Sequence, residues 1–187
     1  MDVPWSKYLT SQWSKIQPLI IEQVVLIAIT VILSTLIGVG IALLVWNRRR
    51  ISGAAIATAA AVLMIPSLAL MTLLLPIFGL GWTSTLVALV LYSQLPIIRN
   101  TVAGLKGVDS ALLESAKGIG MTPTAALFKV QLPLAWPVII AGVRVATMMA
   151  FGISAIAAYV SGPGLGNLIF TGLARFGAVN SLNQALT

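Results

Sequence analysis

Side chains able to do chemistry are scarce in this sequence. It has no histidine, no cysteine and four carboxylates, Asp2, Glu22, Asp109 and Glu114, in 187 residues. That composition removes thiol nucleophiles, disulfides, the usual zinc ligands and any Ser-His or Cys-His pair, so an enzyme would have to work with four acidic side chains, and no catalytic residue or metal site is assigned. Two of the four acids fall in Asp109–Pro137, DSALLESAKGIGMTPTAALFKVQLPLAWP, the one long polar interruption between hydrophobic runs. Gly162, Gly164 and Gly166 have the look of a phosphate-binding loop. No strand precedes them and Gly-Lys occurs nowhere, so they read as a helix-breaking turn, and neither ATP nor another cofactor is expected on this chain.

The polar segment reads as helix, glycine corner and helix, lying outside the bilayer. Asp109 or Ser110 can cap a first helix through Lys117, and Gly118-Ile119-Gly120 ends it with residues that tolerate positive φ. Thr122 as N-cap and Pro123 at the first helical position restart it. Leu132-Pro133 is expected to stop the second helix, because the residue before a proline is pushed out of α geometry. Glu114 stands ahead of the corner, where it can meet a basic or polar patch on a partner.

The elements that hold this segment must sit in lipid. Hydrophobic residues make up 59% of the chain and charged residues 8%, with a mean hydropathy of +1.04; soluble domains carry roughly a quarter charged residues. The apolar residues run in long uncharged stretches, so the expected fold is an all-α polytopic transmembrane helical bundle, one domain over residues 1–187. Spans are expected at about 19–46, 54–78, 81–98 and 134–160, with a cytoplasmic hairpin over 99–133 and an outer interfacial segment at 161–183. Val24–Trp46 alone is 23 residues without a charge, about 34 Å as a helix against a hydrocarbon core of about 30 Å.

Charge sets the orientation. Arg48-Arg49-Arg50 follow the first span at once and Arg99, Lys106, Lys117 and Lys129 follow the third, so those ends are cytoplasmic and the N-terminus lies outside. The +7 net charge and pI near 10.4 thus belong to membrane topology and not to nucleic acid. Trp5, Tyr8 and Trp13, with Lys7 and Lys15, suit an outer interface, and the long apolar run behind them is not a cleavable signal. Gly79-Leu80-Gly81-Trp82 reads as an outside turn.

Within the spans a few positions stand out. Pro66 near the middle of span two leaves the carbonyl of Val62 without its intrahelical partner and should kink the helix. Gly142, Ala146, Ala150, Ser154 and Ala158 form a small-residue stripe in span four, and Ser34, Gly38 and Ala42 a shorter one in span one; such stripes let helices approach closely. Arg144 is the one charge well inside a span. It either snorkels to the cytoplasmic headgroups or faces the loop or a subunit interface. Met64, Met71, Met148 and Met149 read first as packing filler.

The polar segment also carries a resemblance. Glu114-Ser115-Ala116, three residues, Gly120, nine residues, Val130, one residue and Leu132-Pro133 resemble the EAA loop of ABC importer permeases, whose pattern is Glu-Ala-Ala, three, Gly, nine, Ile, one, Leu-Pro. Ser115 for alanine and Val130 for isoleucine are the departures. Ile65–Leu70, Leu91–Thr101, Ala141–Arg144 and Gly162–Gly166 further resemble permeases for osmoprotectants of the glycine betaine, choline and carnitine group. The likeness covers about residues 24–183.

The resemblance implies the type I ABC importer permease fold in a prokaryotic inner membrane. Its implied partners are two cytoplasmic ATP-binding subunits, a second permease subunit, identical or not, an external substrate-binding protein, and lipid. ATP hydrolysis falls to the separate subunit, so this chain is not expected to be an enzyme. The implied ATPase-coupling residues are Asp109, Glu114, Ala116, Gly120, Val130, Leu132 and Pro133, with Gly120 as the sharp corner and Ala116 facing a packed surface. Pro66, Ser67, Met71, Gly142, Arg144 and Ala146 are the positions for the translocation path or helix contact. Related permeases would begin one more span after Thr187, so a truncated fifth span is expected. A methionine or other amino-acid importer permease is the nearest alternative. A channel or secondary transporter would need ionisable groups in its spans, and a small membrane scaffold would not need this hairpin.

Overall fold

The structure, a computed structural model, describes residues 5–174, with side chains from residue 12 onward. The side chains of Trp5, Lys7 and Tyr8 and residues 175–183 of the expected outer segment lie outside the described residues. Among the described residues every element is helical. The helices are α1 (Trp5–Val45), α2 (Arg49–Met64), α3 (Ser67–Phe78), α4 (Trp82–Lys106), α5 (Ser110–Gly118), α6 (Pro123–Ala126) and α7 (Leu132–Ser154); a π turn (Leu127–Gln131) joins the last two, a 3-10 turn (Ala155–Val160) follows, and residues 166–174 are helical again. Three stretches, Gln12–Val45, Trp82–Lys106 and Pro123–Val160, are long and apolar enough to cross a membrane, and α2 with α3 qualifies as a fourth, broken one. Helices are the form that satisfies every backbone polar group without water.

The chain groups into two compact units. One holds residues 30–66 and 90–150. Its core joins Ala42 of α1, Ala59 of α2 and Ile98 and Val102 of α4. A second cluster joins Leu105 of α4 with Ala135 and Ile139 of α7, and Trp46 packs on both. Close approach explains the small residues: a Cβ on Gly38 would come 2.7 Å from the Ile97 side chain, and one on Gly142 would come 2.7 Å from Asn100 Cβ and from the Pro96 carbonyl. Ser34, Gly38 and Ala42 are all buried, as are Gly142, Ala146 and Ala150.

The other unit holds, among the described residues, 5–29, 67–89 and 151–174. Leu26, Met71, Leu89 and Ala157 are fully buried in it, and α3 packs on the 3-10 turn. Ser154 is buried and Ala158 half-buried.

Prolines account for most departures from the sequence expectation. Span two is not one kinked helix over 54–78. Pro66 holds Ile65 extended (φ −71°, ψ 130°), so α2 ends at Met64 and α3 starts as a separate helix at Ser67. The Val62 carbonyl keeps a partner, accepting from the Ile65 N–H at 3.1 Å. Span three, expected to end near Ile98, runs through Pro96 to Lys106 as α4. There Leu95, Ile97 and Ile98 are packed, and Asn100 Nδ2 donates to the Pro96 carbonyl at 2.8 Å, so tertiary packing outweighs the roughly 3 kcal/mol cost of an internal proline. Leu132-Pro133 likewise does not stop the second hairpin helix. Leu132 is helical (φ −64°, ψ −45°) and donates to Leu127, five residues back, so a widened π turn absorbs the missing N–H of Pro133 and the helix continues into α7.

Candidate functional site: the polar hairpin

The hairpin lies wholly within one unit, and local chemistry builds most of it. Asp109 caps α5: its carboxylate accepts from the Ala111 N–H at 2.9 Å, beside the positive end of the helix dipole. The Ser115 hydroxyl donates to the Ala111 carbonyl at 2.8 Å and is exposed, so the serine that departs from the EAA pattern folds back onto its own helix. Ala116 is 4% exposed, on the packed side of α5.

The corner is a Schellman motif. The Met121 N–H donates to the Ala116 carbonyl at 3.0 Å and the Gly120 N–H to the Lys117 carbonyl at 2.9 Å, with Gly120 at φ +83°. Gly118, expected to share the turn, is instead the last residue of α5, so the left-handed conformation falls on Gly120. Thr122 then caps α6, accepting from the Ala125 N–H at 3.3 Å, with Pro123 in the first turn. Val130 sits half-buried in the π turn, Leu132 packs on Leu105, Ala135 and Ile139, and Pro133 is exposed.

Charge and apolar surface share the outside of the hairpin. Glu114, Lys117 and Lys129 are exposed, and so are three large apolar side chains, Leu112, Ile119 and Phe128, the second at 76%. Those three were not singled out by sequence. The available signal was the mixed apolar pattern of a short helix with no span around it, and such exposed side chains beside a lone carboxylate suit a protein partner.

The path and contact residues are more dispersed. Gly142 and Ala146 bury against α4 side chains or within the same unit's core, Met71 is fully buried, Ser67 opens α3 half-buried, and Pro66 and Arg144 are exposed. Sequence reading also passed over Tyr92. Its buried hydroxyl donates to the Ile65 carbonyl at 2.8 Å, filling an acceptor that the break at Pro66 leaves open. No group of acidic side chains able to hold a metal ion occurs among the described residues.

Residues 34–178 match the family of binding-protein-dependent transport system inner membrane components. The chain belongs to that family. This inner membrane component is 41% identical over 152 residues to the choline transport system permease protein OpuBB of Bacillus subtilis (strain 168), spanning 81% of this chain and 70% of that protein. It is 40% identical, with the same coverage, to the glycine betaine/carnitine/choline transport system permease protein OpuCB of the same organism. Its fold is that of a chain in an inward-facing MetNI methionine ABC transporter, with a TM-score of 0.72 at 21% identity, covering 91% of this chain and 82% of that one. The all-α multi-pass permease fold is thereby established.

Proposed function

We propose that this chain is the membrane-spanning permease subunit of an ATP-driven, binding-protein-dependent importer of quaternary-ammonium osmoprotectants such as glycine betaine, choline or carnitine. The observation that carries the reading is the 40–41% identity to two osmoprotectant permeases across 152 residues. The methionine alternative is supported by likeness of fold alone. The hairpin suits the coupling element: a capped helix, a left-handed corner and a second helix continuous with α7, so that force on α5 and α6 has a rigid route into a span. In the cycle, ATP closes two cytoplasmic ATPase subunits, the hairpin follows them, and the spans open to the other side. A second permease subunit and an external binding protein complete the assembly, with Arg48–Arg50 and the hairpin cytoplasmic and the N-terminus outside.

The test is co-expression with the ATPase and binding protein, followed by hydrolysis measurements in vesicles. Co-purification of the ATPase and stimulation of its activity by a quaternary-ammonium solute with loaded binding protein are expected. Stimulation by methionine and by no quaternary ammonium solute overturns the substrate assignment.

A further inference from the structure

The unit that holds the first part of α1, up to Ile29, carries a polar contact that the hairpin does not use. Gln23 of α1 is 6% exposed, and both ends of its carboxamide are engaged. Nε2 donates to Ser154 Oγ at 2.5 Å, and Oε1 accepts from the Leu165 N–H at 3.3 Å; the partners are 131 and 142 residues away in the chain. Ser154 in turn donates to the Phe151 carbonyl at 2.7 Å. One side chain thus joins α1, the end of α7 and the loop Ser161–Gly166.

That loop is shaped to close on its surroundings. Gly164 has φ +105°, and a Cβ there would overlap Gln23 Oε1. A Cβ on Gly166 would overlap the Ala155 carbonyl, and one on Gly162 would come 2.7 Å from Thr85 Oγ1. The loop starts at Ser161, a non-glycine residue held at φ +57°, a conformation that costs an L-residue energy. The Gly81 N–H donates to the Val160 carbonyl at 3.0 Å, tying the turn between α3 and α4 to the same end.

We propose that Gln23 is a positioning residue that latches an outer gate: loop 161–166 is held shut on α1 by the carboxamide, and each transport cycle requires its release. This rests on the importer reading above. A leucine of similar size would fill the position without the cost of burying a carboxamide. The carboxamide instead makes contacts that depend steeply on distance and angle, so a shift of about 1 Å in the loop removes them together. Gly164, the glycine facing it, leaves no side chain to repack when the loop lifts. A geometry-dependent hold on a loop already under backbone strain is what separates a latch from a packing contact.

The absence of native cysteines allows a direct test in vesicles holding the full complex with its ATPase and binding protein. A Cβ on Gly164 would lie 3.4 Å from Gln23 Cβ, close to the disulfide range of about 3.5–4.5 Å. In Gln23→Cys/Gly164→Cys, oxidation is expected to reduce uptake by at least about tenfold and reductant to restore it. In Gln23→Leu, the loop loses its acceptor, and solute-independent ATP hydrolysis is expected to rise roughly tenfold while the solute-stimulated increment shrinks. If the double variant does not assemble, Gln23→Leu decides alone. Undiminished uptake by the cross-linked protein, or unchanged basal hydrolysis in Gln23→Leu, overturns the latch while leaving the importer reading in place. Failure of the wild type to import any quaternary-ammonium solute in the same vesicles sinks the importer reading, and the latch with it.

Discussion

Substitution of Gly120 separates the backbone geometry of the corner from everything else the hairpin does. A Cβ at this position meets no atom within 4 Å, so any loss comes from φ +83° and not from a clash. The left-handed conformation costs an L-residue about 1–2 kcal/mol, less for asparagine and more for a β-branched side chain. Two hydrogen bonds depend on it, from the Gly120 N–H to Lys117 and from the Met121 N–H to Ala116. Asparagine, alanine and valine should therefore weaken the corner in that order. For Gly120→Ala, the amides of residues 120 and 121 should exchange with solvent roughly 5- to 30-fold faster, the rate equivalent of about 1–2 kcal/mol in a local opening. Hydrogen-exchange mass spectrometry on the assembled complex reads this, and solute-stimulated ATP hydrolysis should fall in the same order while membrane insertion is unchanged. Gly120→Asp with Glu114→Lys adds a charge reversal on exposed α5 and should uncouple uptake from hydrolysis or release the ATPase. Wild-type exchange in Gly120→Val would refute the left-handed corner, and wild-type uptake by the stably inserted double variant would refute its assignment as the coupling element.

Three further outcomes are expected. Tyr92→Phe strips the Ile65 carbonyl of its 2.8 Å donor and should destabilise the solubilised protein by about 1–3 kcal/mol; an unshifted thermal midpoint would show that this carbonyl has another donor. Two glycine substitutions should have opposite signs: Gly142→Val drives a side chain into Asn100 and Pro96 and should cost about 1–3 kcal/mol or more, whereas Gly118→Ala, helical and open on all sides, should add about 0.5–1 kcal/mol. Thermal unfolding in detergent compares the two directly. Ser110→Cys, the sole thiol in the chain, should react with a membrane-impermeant maleimide only after the membrane is breached, and labelling in intact cells would reverse the topology.

Much of the hairpin is legible in the sequence because its signals are local. Asp109, Thr122-Pro123 and Gly120 act on their own backbone within a turn, so a cap or a left-handed corner follows from residue type and spacing. The all-α, multi-pass character was legible for a related reason, since length and lack of charge are properties of a run, whereas the bounds of spans two and three were not. The small-residue stripes at Ser34–Ala42 and Gly142–Ala150 also read through, because a helix lacking side-chain bulk on one face buries that face.

What each proline does was decided only by the tertiary structure. Pro66 ends a helix, Pro96 is carried inside one, and Pro133 is absorbed by a π turn. The covalent constraint is the same in all three, a missing N–H and a restricted preceding residue, so the outcome depends on what surrounds the interrupted backbone. Packed neighbours keep α4 helical through Pro96, while at Pro66 a tyrosine 27 residues away supplies the donor that makes the break stable. Gln23 shows the same limit from the other side. The sequence sets Gln23 beside Glu22 at the edge of an apolar run; only the fold brings Ser154 and Leu165 to it, because hydrogen-bond partners are chosen by proximity in space and not along the chain.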